Sequence, residues 1–157
     1  MATVYERLVA WFESEGWPMD RHDDESWFRS AFAGTGATIG LVGQVREDLE
    51  IALLYSVPPV RVPEDRRVEV AQFITRANYG LLIGNFELDM DDGEVRYKTA
   101  IDVEGSELTN ALIAGLVRAN CATTDRYFPG LVAIVHGGAT AIEAIVRVEG
   151  PEAVGEA

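Results

Sequence analysis

The stretch RANYGLLIGNFELDMDDGEVRYKTAIDVEG, residues 76–105, decides the fold. At its centre, Asp92-Gly93 is a dipeptide that tolerates positive φ and suits a two-residue hairpin turn. With that turn Asp91 faces Glu94, and Met90 meets Val95, Leu88 meets Tyr97 and Phe86 meets Thr99 on one face. The opposite face pairs Asp89 with Arg96 and Glu87 with Lys98, opposite charges whose cross-strand contacts contribute roughly 0.2–1 kcal/mol each. Slippage by one residue would turn the apolar set to water, so the register is well specified, although Asp91 against Glu94 is unfavourable. The reading predicts a sheet with one apolar and one wet face. It contains no evident chemistry.

Upstream, Thr3 and Glu6 form a capping box, and Val4, Leu8, Trp11 and Phe12 recur at helical spacing, so a first helix is predicted over Thr3–Glu15. Met19–Glu25 is polar and acidic and reads as a loop. Trp27, Phe28 and Phe32 lie in a strand that ends at Gly34-Thr35-Gly36. Thr38–Arg46 and Leu49–Val57 follow as two more strands, in which Ile39, Leu41, Gly43 and Val45 alternate, as do Ile51, Leu53, Tyr55 and Val57. Pro58-Pro59 ends this meander, because neither proline can donate to a ladder. Pro63-Glu64-Asp65 opens a second helix with Val70, Phe73, Ile74 and Ala77 as its buried stripe and Gly80 as its stop. Downstream of the hairpin, a third helix is predicted over Glu107–Cys121. Pro129-Gly130 should break it before a further helical stretch, Leu131–His136. Thr140 and Glu143 form another capping box for a small last helix, Thr140–Val148. The order α-β-β-β-α-β-β-α(-α) contains no obligatory βαβ crossover and favours an α+β fold, an antiparallel sheet flanked by helices. One domain is expected over residues 1–150, with 151–157 as a flexible tail.

Composition narrows the function. The chain has 157 residues, 26 acidic and 13 basic side chains, and a formal net charge of −13. Such a surface repels phosphates, and Arg61, Arg66, Arg67 and Arg76 are interleaved with acids, so direct nucleic-acid binding is not expected. The single cysteine, Cys121, excludes an internal disulfide and fits a reducing compartment. No basic leader precedes an apolar run and no stretch spans a bilayer, so a cytoplasmic protein without membrane contact is expected. Catalytic and metal signatures fail in turn. Asp89, Asp91, Asp92 and Gly93 miss the calcium-loop spacing and read as a solvated hairpin tip. His22, His136 and Cys121 share no ligand spacing. Cys121 sits among apolar residues as an inert thiol, no Gly-x-Ser-x-Gly elbow occurs, and the glycine pairs lack a phosphate-loop lysine. No enzyme, cofactor or metal is expected.

Some words of the chain do carry a resemblance. Arg76-Ala77-Asn78-Tyr79-Gly80, Gly84-Asn85-Phe86-Glu87-Leu88-Asp89 and Asp92-Gly93-Glu94-Val95-Arg96-Tyr97 resemble the YbjN family of bacterial proteins, and the likeness continues through Asp125–Gly130 and Glu143-Ala144-Ile145. That family is named for sensory transduction regulation. The resemblance implies the fold of type III secretion chaperones, a homodimer, and a role in binding other proteins, with no catalytic residues to transfer. A chaperone-type reading requires apolar surface that accepts a partner segment. Trp27, Phe28, Phe32, Leu112 and Leu116 are the candidates for it, with Tyr127 and Phe128 as a candidate dimer contact; each of these also reads as plain core. The expected function is a protein-binding adaptor, chaperone-like or regulatory. The alternative is a small-molecule-sensing domain with an apolar pocket between sheet and helices.

Overall fold

The structure, a computed structural model, describes residues 1–155. Helix α1 (Val4–Ser14) leads into strands β1 (Asp20–His22), β2 (Trp27–Ala33), β3 (Thr38–Arg46) and β4 (Ile51–Val57), then helix α2 (Arg67–Asn78). Strands β5 (Asn85–Leu88) and β6 (Val95–Asp102) and helices α3 (Asn110–Val135) and α4 (Ala141–Glu149) complete the fold. The strands form one six-stranded sheet in the order β1-β2-β3-β4-β6-β5, antiparallel at every pairing. The expected α+β order holds, with one strand added. β1 occupies the segment read as a loop: its three residues are all exposed and pair only with β2, so nothing apolar signals an edge strand there.

Both expected capping boxes are present. Thr3 and Glu6 close α1, and Thr140 and Glu143 close α4. The stripe Val70, Phe73, Ile74 and Ala77 is the buried side of α2. At the start of the expected tail, Pro151–Ala153 forms a 3-10 turn, and Ala153 and Val154 pack against the core; residues 156–157 of that tail lie outside the described residues.

The deciding hairpin folds in a different register from the one expected. Phe86 faces Tyr97 rather than Thr99, Leu88 faces Val95, and Glu87 faces Arg96. The loop is longer than two residues: Asp89 N–H donates to the Glu94 carbonyl at 2.9 Å and Gly93 N–H donates to the Asp89 carbonyl at 2.9 Å. Two local hydrogen bonds set this loop, from Asp91 N–H to Asp89 Oδ1 at 2.8 Å and from Glu94 N–H to Asp92 Oδ1 at 2.8 Å. Such aspartate-to-backbone bonds compete with the ladder and shorten it. Gly93 has φ +80, and a Cβ there would overlap the Val62 carbonyl. The loop after β4 thus locks the tip, through Val62 N–H donating to Gly93 O at 2.9 Å and an Arg61–Asp92 ion pair at 2.7 Å. Because the slip is an even number of residues, every side chain keeps its face. Asp89 and Met90 leave the ladder for the loop, and Met90 changes from an apolar-face strand residue to an exposed loop residue.

Helix α3 is the other correction: it runs unbroken through Pro129. A proline inside a helix removes a hydrogen bond and costs about 3 kcal/mol. Burial on both sides of it offsets that cost, since Tyr127 and Phe128 precede it and Gly130, Leu131, Ala133 and Ile134 follow, all buried. Two apolar clusters fill the space between sheet and helices. One joins α1 to β2, β3, β4 and the start of α3, around Leu8, Phe12, Phe28, Leu41, Leu54 and Ile113. The second joins α2, α4 and the rest of α3 to β5 and β6, around Phe73, Phe86, Tyr97, Leu131 and Ile145.

A buried polar knot lies where α3 crosses the sheet. Asn120 Nδ2 donates to the Leu54 carbonyl at 2.9 Å and to Thr99 Oγ1 at 3.0 Å, and Ser56 Oγ donates to Asn120 Oδ1. These three polar residues are fully buried, and among the described residues no buried side-chain polar atom lacks a partner. A satisfied polar group in an apolar layer fixes one docking geometry, because any shift leaves it unpaired.

Candidate functional site

The helices all pack on one face of the sheet, which leaves the other face uncovered. Inward from β4 point Ala52, Leu54 and Ser56, all buried. Outward point Ile51, Leu53, Tyr55 and Val57, none of them fully buried. The cross-strand register assembles these into rows. One row runs Arg29, Val42, Tyr55, Lys98, and the next runs Trp27, Gln44, Leu53, Ala100. An apolar band along β4, flanked by Val42 and Ala100, therefore crosses the middle of the outer face. The wet face expected of the hairpin is real for β5 and β6, where Glu87 Oε1 and Oε2 each take an ion pair at 2.5 Å, from Lys98 and Arg96. It does not extend to β4.

The charged rim of this face is partly neutralised. Burial raises the Glu87 carboxyl, but hydrogen bonds from Lys98 and Arg96 outweigh it and hold the group below the usual glutamate range. The Arg96 guanidinium lies 4.4 Å from the centre of the Tyr55 ring. Toward β1, the Trp27 ring stacks on His22 at 3.8 Å between centres, and Trp27 Nε1 donates to Glu25 at 2.7 Å.

A second surface lies along the outward side of α2. Val68, Ala71, Gln72 and Thr75 follow each other at helical spacing and, with Arg76 and Met90, line a shallow groove. At its end Tyr79 is 95% exposed and Leu82 99%, with Ile83 exposed beside them. Single exposed apolar residues need no explanation, but this cluster does. The neighbouring sheet edge is capped at Phe86. The Asn78 side chain accepts from Phe86 N–H at 2.7 Å and donates to the Phe86 carbonyl at 3.1 Å, occupying the outer edge of β5.

The seven candidate contact residues are dispersed. Trp27 is on the uncovered face, whereas Phe28 and Phe32 point to the helix side, where the Phe28 ring fills the space over Gly43 and Phe32 meets Trp17 at 6.4 Å. Leu112 is exposed on α3 and Leu116, one turn on, is buried. Tyr127 and Phe128 are buried in the α2–α4 cluster, the Tyr127 hydroxyl donating to Glu149. The β4 band and the α2 patch do not figure among those candidates. For β4 the missed signal is the pair of alternations on one strand: Ile51, Leu53, Tyr55 and Val57 are as apolar as Ala52 and Leu54, so a covered face cannot be chosen from the strand alone.

Burial raises the weak acids Tyr5, Cys121 and Tyr127. Burial pushes the Cys121 thiol up to about 12. Burial and a hydrogen bond to Asp23 push the Tyr5 phenol up to about 12, and burial with the Glu149 contact raises Tyr127. Among the described residues no group of three or more His, Cys, Asp or Glu side chains could hold a metal ion, and no helix is long and apolar enough to cross a membrane.

Comparisons with known proteins agree with this architecture. The crystal structure of YbjN from E. coli, described as "a putative transcription regulator", superposes with a TM-score of 0.61 at 14% identity, covering 80% of this chain and 89% of that one. The ExsC–ExsE complex contains a chain that superposes with a TM-score of 0.52 at 16% identity, covering 80% and 90%. At these identities the likeness is one of fold, the type III secretion chaperone-like α+β sheet with its helices on one side. No protein in a search of the curated proteins matches. The family profile described as "Putative bacterial sensory transduction regulator" matches residues 5–133, which carry the whole sheet and most of α3, and the chain belongs to this YbjN family.

Proposed function

We propose that this protein is a non-enzymatic, cytoplasmic adaptor that binds a segment of another protein, in the manner of a chaperone or regulatory partner, and that it works as a homodimer. The observation that carries the reading is the apolar band on the uncovered face of β4: Ile51, Leu53, Tyr55 and Val57, with Val42 beside them. A sheet face that keeps such side chains partly exposed gains by receiving an apolar stripe from a partner. Trp27, at the end of the Leu53 row, extends that surface. Membership of the YbjN family, and the shared fold with ExsC in its complex with ExsE, support protein binding over catalysis. The net charge of −13 supports a protein partner over nucleic acid.

The α2 patch supports the homodimer. Copies of so acidic a chain repel each other over most of their surface, but the groove side of α2 is lined by Val68, Ala71, Gln72, Thr75 and Arg76 and carries no acid. Antiparallel pairing of two such helices about a two-fold axis brings no acid of the groove against its copy and buries Val68, Tyr79 and Leu82. Affinity capture from a bacterial lysate, with bound proteins identified by mass spectrometry, tests the adaptor reading. Wild type should retain a defined partner that Leu53→Asp loses while its melting temperature stays within a few degrees. Sedimentation should give a dimer for wild type and a monomer for Leu82→Glu. A monomeric wild type with no partner above background would overturn the proposal.

A further inference from the structure

A groove of about 690 Å³ opens between the end of α3, helix α4 and the loop after β4. Pro59, Val60, Phe128, Pro129 and Val132 make its walls, and His136 and Arg147 stand among them. Its volume falls within the range of roughly 300–1,000 Å³ typical of small-ligand sites, and an apolar wall with few polar groups is their usual make-up. It lies partly outside the family's matched residues, since Arg147 belongs to α4 and the match ends at residue 133.

The charge of the lining points to a ligand class. The chain has twice as many acids as lysines and arginines, 26 against 13, yet the lining holds one arginine, one histidine and no acid. Among the described residues Arg147 takes part in no ion pair closer than 4.0 Å. The acid one turn before it, Glu143, is committed to the helix cap, its Oε2 accepting from Thr140 N–H at 2.8 Å. The Arg147 guanidinium is therefore available, at an apolar wall, to a carboxylate that approaches it from the groove.

We infer that this groove binds an anionic amphiphile: a single carboxylate on an aliphatic chain, its head on Arg147 and its chain along Val60, Phe128 and Val132. The inference stands apart from the adaptor reading, because the groove is on the opposite side of the sheet from the β4 band. Isothermal titration of the full chain with decanoate, below its micelle-forming concentration, tests it against decanol and phosphatidylglycerol vesicles. Decanoate should bind at one site per chain and decanol at least tenfold more weakly. Arg147→Gln should weaken decanoate about tenfold or more, as loss of a charge-assisted hydrogen bond does. Val132→Trp, which fills the groove, should abolish binding, and a thermal melt checks that each variant is folded. Decanol binding as tightly as decanoate, an Arg147→Gln variant with unchanged affinity, or vesicle binding without decanoate binding would each overturn the inference. Partner capture by Leu53→Asp bears only on the adaptor reading.

Discussion

The two faces of β4 show what a covered and an uncovered surface look like on one strand. Inward, Ala52, Leu54 and Ser56 are buried beneath α1 and α3, and two of the three are small. Outward, Ile51, Leu53, Tyr55 and Val57 are larger and more apolar in sum, yet among the described residues no helix covers them and they stay half-buried. Apolarity therefore does not decide which face is the core. The decision comes from partners: α3 can tie itself to Ser56 and Thr99 through Asn120, and no helix carries an equivalent anchor for the other side. The difference teaches that an apolar stripe becomes core only where a helix carries the anchor to cover it.

The sharpest way to break this contrast is to truncate neighbouring leucines. Leu54→Ala removes a fully buried side chain and should cost about 2–5 kcal/mol in urea unfolding. Leu53→Ala, next to it on the uncovered face, should cost under about 1 kcal/mol. Equal costs, together with a concentration-dependent melt, would mean that a second copy covers the outer face. The anchor itself gives a slightly smaller effect. Asn120→Ala leaves Ser56 and Thr99 buried without their partner and should destabilise by about 2–4 kcal/mol. The same substitution should leave partner capture on the outer face unchanged, provided it is measured well below the lowered midpoint.

Much of this was legible in the sequence. Both capping boxes, the α2 stripe and the strand Thr38–Arg46 appear as read, because each rests on local chemistry: a cap, a helical period, an alternation. The hairpin's existence and its facing sides were legible, but its register was not. Asp89, Asp91 and Asp92 offer the backbone several competing bonds, and the deciding contacts come from Val62 and Arg61, remote in sequence. Pro129 misleads for the same reason: tertiary burial around Leu131 and Ile134 outweighs a local break. Of the candidate surfaces, Trp27 was legible as an aromatic on a strand, while the outward choice of Leu53 and Tyr55 depends on where α3 docks. Asn120 offered one signal, an amide set among Ala119, Cys121 and Ala122.

An edge can be set against a face. The outer edge of β5 is closed by Asn78, whereas the outer face of β4 is open. Asn78→Ala removes two hydrogen bonds to Phe86 and should cost about 1–2 kcal/mol. It also frees a strand edge, so light scattering should show slow, concentration-dependent association that wild type lacks. Leu53→Asp should show no such association. If Asn78→Ala stayed as dispersed as wild type, the edge would be closed by something other than this amide.

The smallest expected effect distinguishes the latched rim of the outer face from its bare centre. Glu87 holds Arg96 and Lys98 together, and its carboxyl ionises below its ordinary value of 4.5 in the folded chain. A carboxyl depressed by folding contributes stability that is complete above the unfolded value and is lost as pH falls through the folded one. Wild type should thus lose stability below about pH 4.5, and part of that loss should be absent in Glu87→Gln. Since Glu87 is about a quarter exposed (27%), solvent screens the pair, and the difference at pH 7 should stay under about 1 kcal/mol. Raising the salt concentration should narrow it further. Thermal melts of both proteins between pH 3 and pH 7 measure the gap. A gap of constant size across that range would mean that Glu87 acts by shape and not by charge.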